Sequence, residues 1–317
     1  MVRVNINKHA GCLVMSLALL FASCKNDVVE ITRGDAHINI LLNNVLSPFT
    51  AYTQGDMDMY AYNGISSKIV VRVFVYDDSG HLTNSLSKEI ADYKQSSLSL
   101  STPIKGSNPL IVCLTYAVYT DSQGKKYNAY KVSGEELQST LKIERDYASS
   151  SDLIPWQVLG GEIKTVGIDS EKNDIEVKPL GGLVYFDWNN IHAHDDESNA
   201  PHRYVFMNKY NDVITIKDGV FSYNSSLASL YYFYSDIYPS KFPSYNWIYD
   251  VCFIFPSNVE FYGYGGYSPS NYKLDDDELT TMKSSTKNIQ IKAGKQYVFK
   301  MNCKDYTVDA YEGTLSD

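Results

Sequence analysis

The chain has 317 residues, 44% of them hydrophobic and 21% charged, with a formal net charge of −9 and 27 tyrosines. That length and apolar content suffice for two domains of ordinary size with no need of disulfide or metal staples. The acidic balance excludes a general nucleic-acid binder, because phosphates demand a basic face.

Arg3 and Lys8 precede an apolar run, residues 13–22, that is too short to cross a bilayer; a spanning helix takes about 20 apolar residues. Positive region, apolar core and small residues together make an export signal over residues 1–23. Cys24 follows Ala22 and Ser23 as in a bacterial lipobox, with Phe21 where leucine is usual. Cys24 is therefore the expected site of lipidation, and the body downstream hangs from a membrane. Residues 24–35 read as a short polar tether. The tripeptide Arg33-Gly34-Asp35 spells an integrin-binding signal, but three residues beside a membrane anchor are too short a match to carry a function.

Residues 36–45 read as a first strand, with Ile38, Ile40 and Leu42 on one side and His37, Asn39 and Leu41 on the other. Residues 68–76, Lys-Ile-Val-Val-Arg-Val-Phe-Val-Tyr, form the clearest strand, ended by Asp77-Asp78-Ser79-Gly80. A weaker strand follows at 97–104 and a strong one at 109–120. Ser133, with Glu136 three residues later and Leu137 and Leu141 at helical spacing, predicts one short helix over 133–146. Strands return at 156–168 and 174–178.

Pro179-Leu180-Gly181-Gly182 is a breaker cluster between two strand-rich halves and is the expected domain boundary. The division is an N-terminal sandwich over 36–178 and a C-terminal one over 179–317. In the second half, 183–188 reads as a strand. Strands 204–208, 212–217 and 220–223 are expected to form a meander with a turn at Asp218-Gly219. Residues 227–238 are ambiguous, and 249–255 reads as a buried strand. Residues 288–292 and 296–302 are expected to pair as a hairpin across Ala293-Gly294-Lys295, and 306–311 closes the chain. Many short strands with little helix predict an all-β fold, a β-sandwich in each half.

No nucleophile elbow, phosphate loop, zinc-protease helix or dinucleotide fingerprint is present, so no enzyme is expected and no cofactor is implied. His192, His194, Asp195, Asp196 and Glu197, with His202 beyond, could ligate a metal, but the run carries loop chemistry and reads as solvated. Asp275-Asp276-Asp277-Glu278 lacks the alternation and glycine of a calcium loop. No metal is expected. Cys113, Cys252 and Cys303 each lie in an apolar stretch; either one disulfide forms among them or all three are small buried hydrophobes, the second being favoured.

Two aromatic clusters remain: Tyr231, Tyr232, Phe233 and Tyr234, and Phe261, Tyr262, Tyr264 and Tyr267. The glycines of the second suggest a mobile loop. Rings in either cluster could cover sandwich edges, or could contact a sugar or a partner protein. The candidate contact residues are Tyr231, Tyr232, Tyr234, Tyr262, Tyr264 and Tyr267.

The layout, together with Val-Phe-Val-Tyr-Asp-Asp-Ser-Gly-His-Leu at 73–82, Val-Lys-Pro-Leu-Gly-Gly-Leu-Val at 177–184 and Ala-Gly-Lys-Gln-Tyr-Val-Phe-Lys-Met at 293–301, resembles the fimbrillin and fimbrial-anchor lipoproteins of the Bacteroides group. The resemblance implies two tandem transthyretin-like sandwiches, outer-membrane attachment through the N-terminal lipid, exposure at the cell surface and other fimbrial subunits as partners. Subunits of that family assemble by strand addition, and shaft precursors are trimmed after an arginine near the first strand, a place that Arg33 fits. The tail 312–317 has one apolar residue, Leu315, and offers no alternating anchors, so an anchor or accessory (tip) subunit is expected rather than a shaft. The alternative from another class is a surface glycan-binding lipoprotein that uses its tyrosine clusters. A host protein or glycan is the further partner either reading allows; nucleic acid is not.

Overall fold

The computed structural model describes residues 33–45, 47–49, 66–91, 95–120, 123–145, 158–167, 173–187, 201–208, 210–225, 230–236, 249–267, 288–302 and 307–313. The signal region, Cys24 and the acidic runs at 192–197 and 275–278 lie outside them. Residues 33–317 form one compact unit. It is all-β, as the patterning predicts, with a single 3-10 turn (Gln138–Thr140) among the described residues.

Strands are numbered in chain order. A mixed sheet sets β1 (Arg33–Leu41) between β10 (Asn173–Glu176) and β4 (Ser97–Lys105). A six-stranded sheet runs β11 (Lys178–Pro179), β9 (Gly160–Thr165), β5 (Leu110–Thr120), β2 (Ser66–Tyr76), β3 (Leu82–Ile90), with β6 (Lys126–Asn128) also on β5. A third has the order β15 (Val220–Asn224), β14 (Val213–Lys217), β8 (Lys142–Arg145), β7 (Tyr130–Ser133). The fourth is β17 (Tyr249–Ile254), β12 (Gly182–Asp187), β20 (Gln296–Asn302), β21 (Thr307–Glu312). The fifth is β16 (Leu230–Asp236), β13 (Pro201–Asn208), β18 (Ser257–Tyr267), β19 (Asn288–Ile291).

Strand β2 is buried on both faces, from Ile69 to Tyr76 with Arg72 excepted, as its unbroken β-branched and aromatic run requires. Its partner β3 is a strand that periodicity does not announce. Its apolar residues Leu82, Leu86 and Ile90 sit four apart among polar ones, yet β3 pairs with β2 along its length.

Three expectations are corrected. The helix over 133–146 is absent: β7 ends at Ser133, Gly134 takes φ +67°, and Leu141 and Ile143 are buried at strand spacing. A left-handed glycine after Ser133 ends the backbone direction that a helix cap would need. The expected meander does not form either. Strands β14 and β15 pair through a two-residue turn, Asp218 at φ +51° and Gly219 at +74°, as primed hairpins do. Strand β14 then pairs with β8, and not with β13. Finally, β19 and β20 belong to different sheets, so 293–295 is a corner and not a hairpin. Its backbone bonds the breaker cluster: Gly294 N–H donates to Gly181 O at 2.9 Å and Leu183 N–H to Lys295 O at 2.9 Å.

That cluster is packed inside the fold. Leu180 is 5% exposed and Leu183 fully buried. A Cβ on Gly181 would lie 2.5 Å from the Ile254 carbonyl oxygen, and one on Gly182 would lie 2.8 Å from the Lys292 carbonyl oxygen. Cys113 is buried and free, as a small hydrophobe would be, while the side chain of Cys252 and the whole of Cys303 lie outside the described residues. Burial pushes its thiol well above the ordinary range.

Candidate functional site

Strand β1 is antiparallel to β4 over its full length, Arg33 opposite Lys105 and Leu41 opposite Ser97. It is parallel to β10 over its second half, Ile38 opposite Asn173 and Leu41 opposite Glu176. The alternation of the sequence does the rest: Ala36, Ile38, Ile40 and Leu42 are buried, while Asp35 and His37 are exposed. Burying Ile38, Ile40 and Leu42 is worth about 1.5–3 kcal/mol each. Their sum is comparable to the whole stability of a domain, about 5–15 kcal/mol. Strand β1 is therefore a fixed part of the folded chain, and removing it would open an apolar bed with free backbone edges on two sides.

Polar contacts pin both neighbours. Asn39 Nδ2 donates to Asp174 Oδ1 at 2.9 Å, Asn173 Nδ2 donates to His37 O at 3.3 Å, and Val177 N–H donates to Leu41 O at 3.0 Å. The segment after β1 reaches the second half of the chain. Phe49 meets Phe253 edge to face at 6.3 Å between ring centres, and Gln296 Nε2 donates to Pro48 O at 2.9 Å. The Arg33-Gly34-Asp35 tripeptide is held in the β1 ladder as extended backbone.

At the other end of the chain, β21 pairs with β20 along one edge, Tyr297 opposite Glu312 and Asn302 opposite Thr307. An ion pair of 2.7 Å between Lys295 Nζ and Glu312 Oε1 closes it, and each partner favours the other's charge: the Glu312 carboxyl is held low and the Lys295 ammonium high.

The two tyrosine clusters come together. Contrary to the expectation of a mobile loop, 257–267 is one long strand, β18, and the ambiguous stretch is β16. Strand β13 lies between them. The registers make two three-position rows: Tyr232, Phe206, Tyr262 and Tyr234, Tyr204, Tyr264. Sequence reasoning missed Tyr204 and Phe206. Their alternation in Tyr-Val-Phe-Met-Asn was visible, but their pairing with both clusters was not.

A pocket of about 420 Å³ is lined in part by Asp77, Asp78, Gln138 and Asp218. The carboxylates of Asp77 and Asp78 are occupied by structure. Asp77 Oδ1 accepts Ser79 N–H at 2.9 Å and His81 N–H at 3.0 Å. Asp78 accepts Asn108 N–H at 2.8 Å, Ser107 N–H at 2.9 Å and the Ser107 hydroxyl at 3.0 Å, which hold its carboxyl below the usual range. These carboxylates cap turns.

No family model and no curated protein matches the chain. Among solved structures it is similar to a candidate cell adhesion protein from Bacteroides uniformis, with a TM-score of 0.41 and 7% identity over 88% of this chain and 96% of that one. It is also similar to a candidate adhesin from Bacteroides thetaiotaomicron (0.40, 9%, 87% and 93%) and to a fimbrial assembly protein from Parabacteroides distasonis (0.33, 12%, 89% and 100%). Likenesses this distant carry no argument of their own, and the fold rests on the strand pairing above.

Proposed function

We propose that the chain is a non-enzymatic component of a surface fimbria, an anchor or an accessory (tip) subunit, held at the outer membrane by lipid on Cys24 and joined to other subunits by strand addition. The observation that carries this reading is the seated β1: an apolar strand held between two neighbours, one of them parallel, that keeps its own groove filled and so leaves a sheet edge, not that groove, for a partner strand. The sequence motifs that resemble fimbrial lipoproteins support it, and β21, which among the described residues pairs only with β20, supplies an edge at which a partner strand could add.

Processing at Arg33 has a specific consequence in this chain. Strand β1 begins at Arg33 itself, so a cut after Arg33 leaves Gly34–Leu41 in the sheet. No Arg or Lys occurs between Gly34 and Ser67, so a protease specific for basic residues has no site between β1 and β2. The groove stays filled, which favours a terminal subunit over a self-polymerising one.

The test is replacement of Cys24 by alanine in the native cell. Release of the chain from the outer membrane, with fimbriae shed or altered at one end under electron microscopy, is expected. A Cys24→Ala chain that remains lipidated and membrane-bound, with fimbriae unchanged, would contradict the reading.

A further inference from the structure

Phe253 of β17 is the point where the first strand meets the second half of the chain. Its side chain is fully buried, and Phe49 packs against it edge to face, at 82° between ring planes. Phe255 meets Phe253 edge to face at 6.4 Å, stacks on Tyr130 of β7 at 6.0 Å, and Tyr130 meets Tyr116 of β5 at 6.1 Å. Five rings thus run from the exit of β1 to the central sheet, each pair in an orientation that aromatic quadrupoles favour. The guanidinium of Arg145, from β8, donates to the Phe253 carbonyl.

A second contact lies beside the first. Gln296, at the start of β20, stands opposite Leu183 of β12. Its side-chain amide donates to Pro48 O, while its backbone carbonyl accepts Gly313 N–H at 3.0 Å, just beyond β21. One residue therefore fastens both the exit of β1 and the end of β21. The path from β1 to these contacts has little slack. Leu42, Val45 and Phe49 are all buried, Leu42 N–H donates to Ser96 O at 2.8 Å, and Val45 N–H donates to Leu42 O at 3.1 Å. Lifting β1 from between β10 and β4 thus pulls on Pro48 and Phe49.

We propose that the Phe49–Phe253 and Pro48–Gln296 contacts form a latch, through which the seating of β1 sets the order of the fourth sheet and of its β21 edge. A chain with β1 in place presents a formed β21 edge; a chain with β1 displaced presents a frayed one. Packed cores support such behaviour because they are stiff and transmit strain. Coupling of this kind is reciprocal, so loosening Phe253 must also weaken the seat of β1. The latch rests on strand packing and not on the fimbrial reading. It states which form of the chain offers the edge, whatever partner comes to it.

Native-state hydrogen exchange on the purified chain tests it. In Phe49→Ala, protection of the β20 and β21 amides is expected to fall about tenfold or more, while that of the β2 amides, the internal reference, changes less than about threefold. In Phe253→Ala, protection of the β1 amides is expected to fall by about the same factor against the same reference. Where an alanine variant does not fold, Phe49→Leu or Phe253→Leu takes its place, keeping apolar bulk while losing the ring contact, with the same pattern expected at about threefold. Unchanged β21 protection in the Phe49 variants, or unchanged β1 protection in the Phe253 variants, would overturn the latch. So would an equal fall in β2, which would mark both rings as ordinary core filling.

Discussion

Ile214 of β14 lies directly opposite Ile143 of β8, and both are fully buried. The hairpin from beyond the breaker cluster thus completes a sheet begun before it. A chain stopped at residue 178 keeps β7 and β8 but loses β14 and β15, leaving the β8 edge and Ile143 uncovered. Residues 33–178 alone should show no cooperative urea transition and should aggregate, and co-expression with 179–317 should restore solubility. A monomeric fragment that unfolds in two states would show instead that the halves are independent.

The glycine crossing should resist both substitution and proteolysis. Gly181→Ala places a methyl against the Ile254 carbonyl, an overpacking expected to cost about 1–3 kcal/mol in a urea titration. Limited proteolysis should spare 180–183, since Leu180 and Leu183 are buried. Early cleavage there, or an unshifted Gly181→Ala midpoint, would contradict the packing.

Asp78 gives a pH prediction. Its carboxyl is depressed in the folded chain, so the stability it adds is present above the ordinary aspartate value, about 3.9, and is lost as pH falls through the lower folded value. Asp78→Asn should lower the urea midpoint slightly near neutral pH, the effect being kept small by solvent screening, and the loss should shrink as pH falls below the ordinary aspartate value. An equal loss at neutral and low pH would mean that the charge does not matter to these three hydrogen bonds.

Much of the fold is legible in the residues. Strands β1, β2, β5 and β12 announce themselves because their apolar content is dense or strictly alternating. Strand β3 does not, because β2 supplies the burial and β3 contributes mainly its backbone. The apparent helix at 133–146 shows how Leu137 and Leu141 can mimic helical spacing when 3-10 and strand segments meet. The tyrosine clusters were visible as composition, but the pairing of their strands through β13 was not. Position 204 meets 234 and 264 through pairings that are far apart in sequence, which no local period encodes.

Strand β1 itself sets the scale of the central energetics. Ile40→Ala should cost about 2–5 kcal/mol, as for other large-to-small changes in a packed core, read as a fall in the urea midpoint at unchanged slope. A change within 0.5 kcal/mol would mean that the strand sits loosely.

The most direct measurement is of polymer formation after trimming. The purified chain is cut with an arginine-specific protease under native conditions, the N-terminus of the product is sequenced, and its size is followed by chromatography and electron microscopy. A product that begins at Gly34, retains β1 and remains monomeric is expected, because nothing between Gly34 and Ser67 can be cut and the groove stays filled. Ladders or filaments of this chain alone would contradict a terminal subunit with a resident first strand.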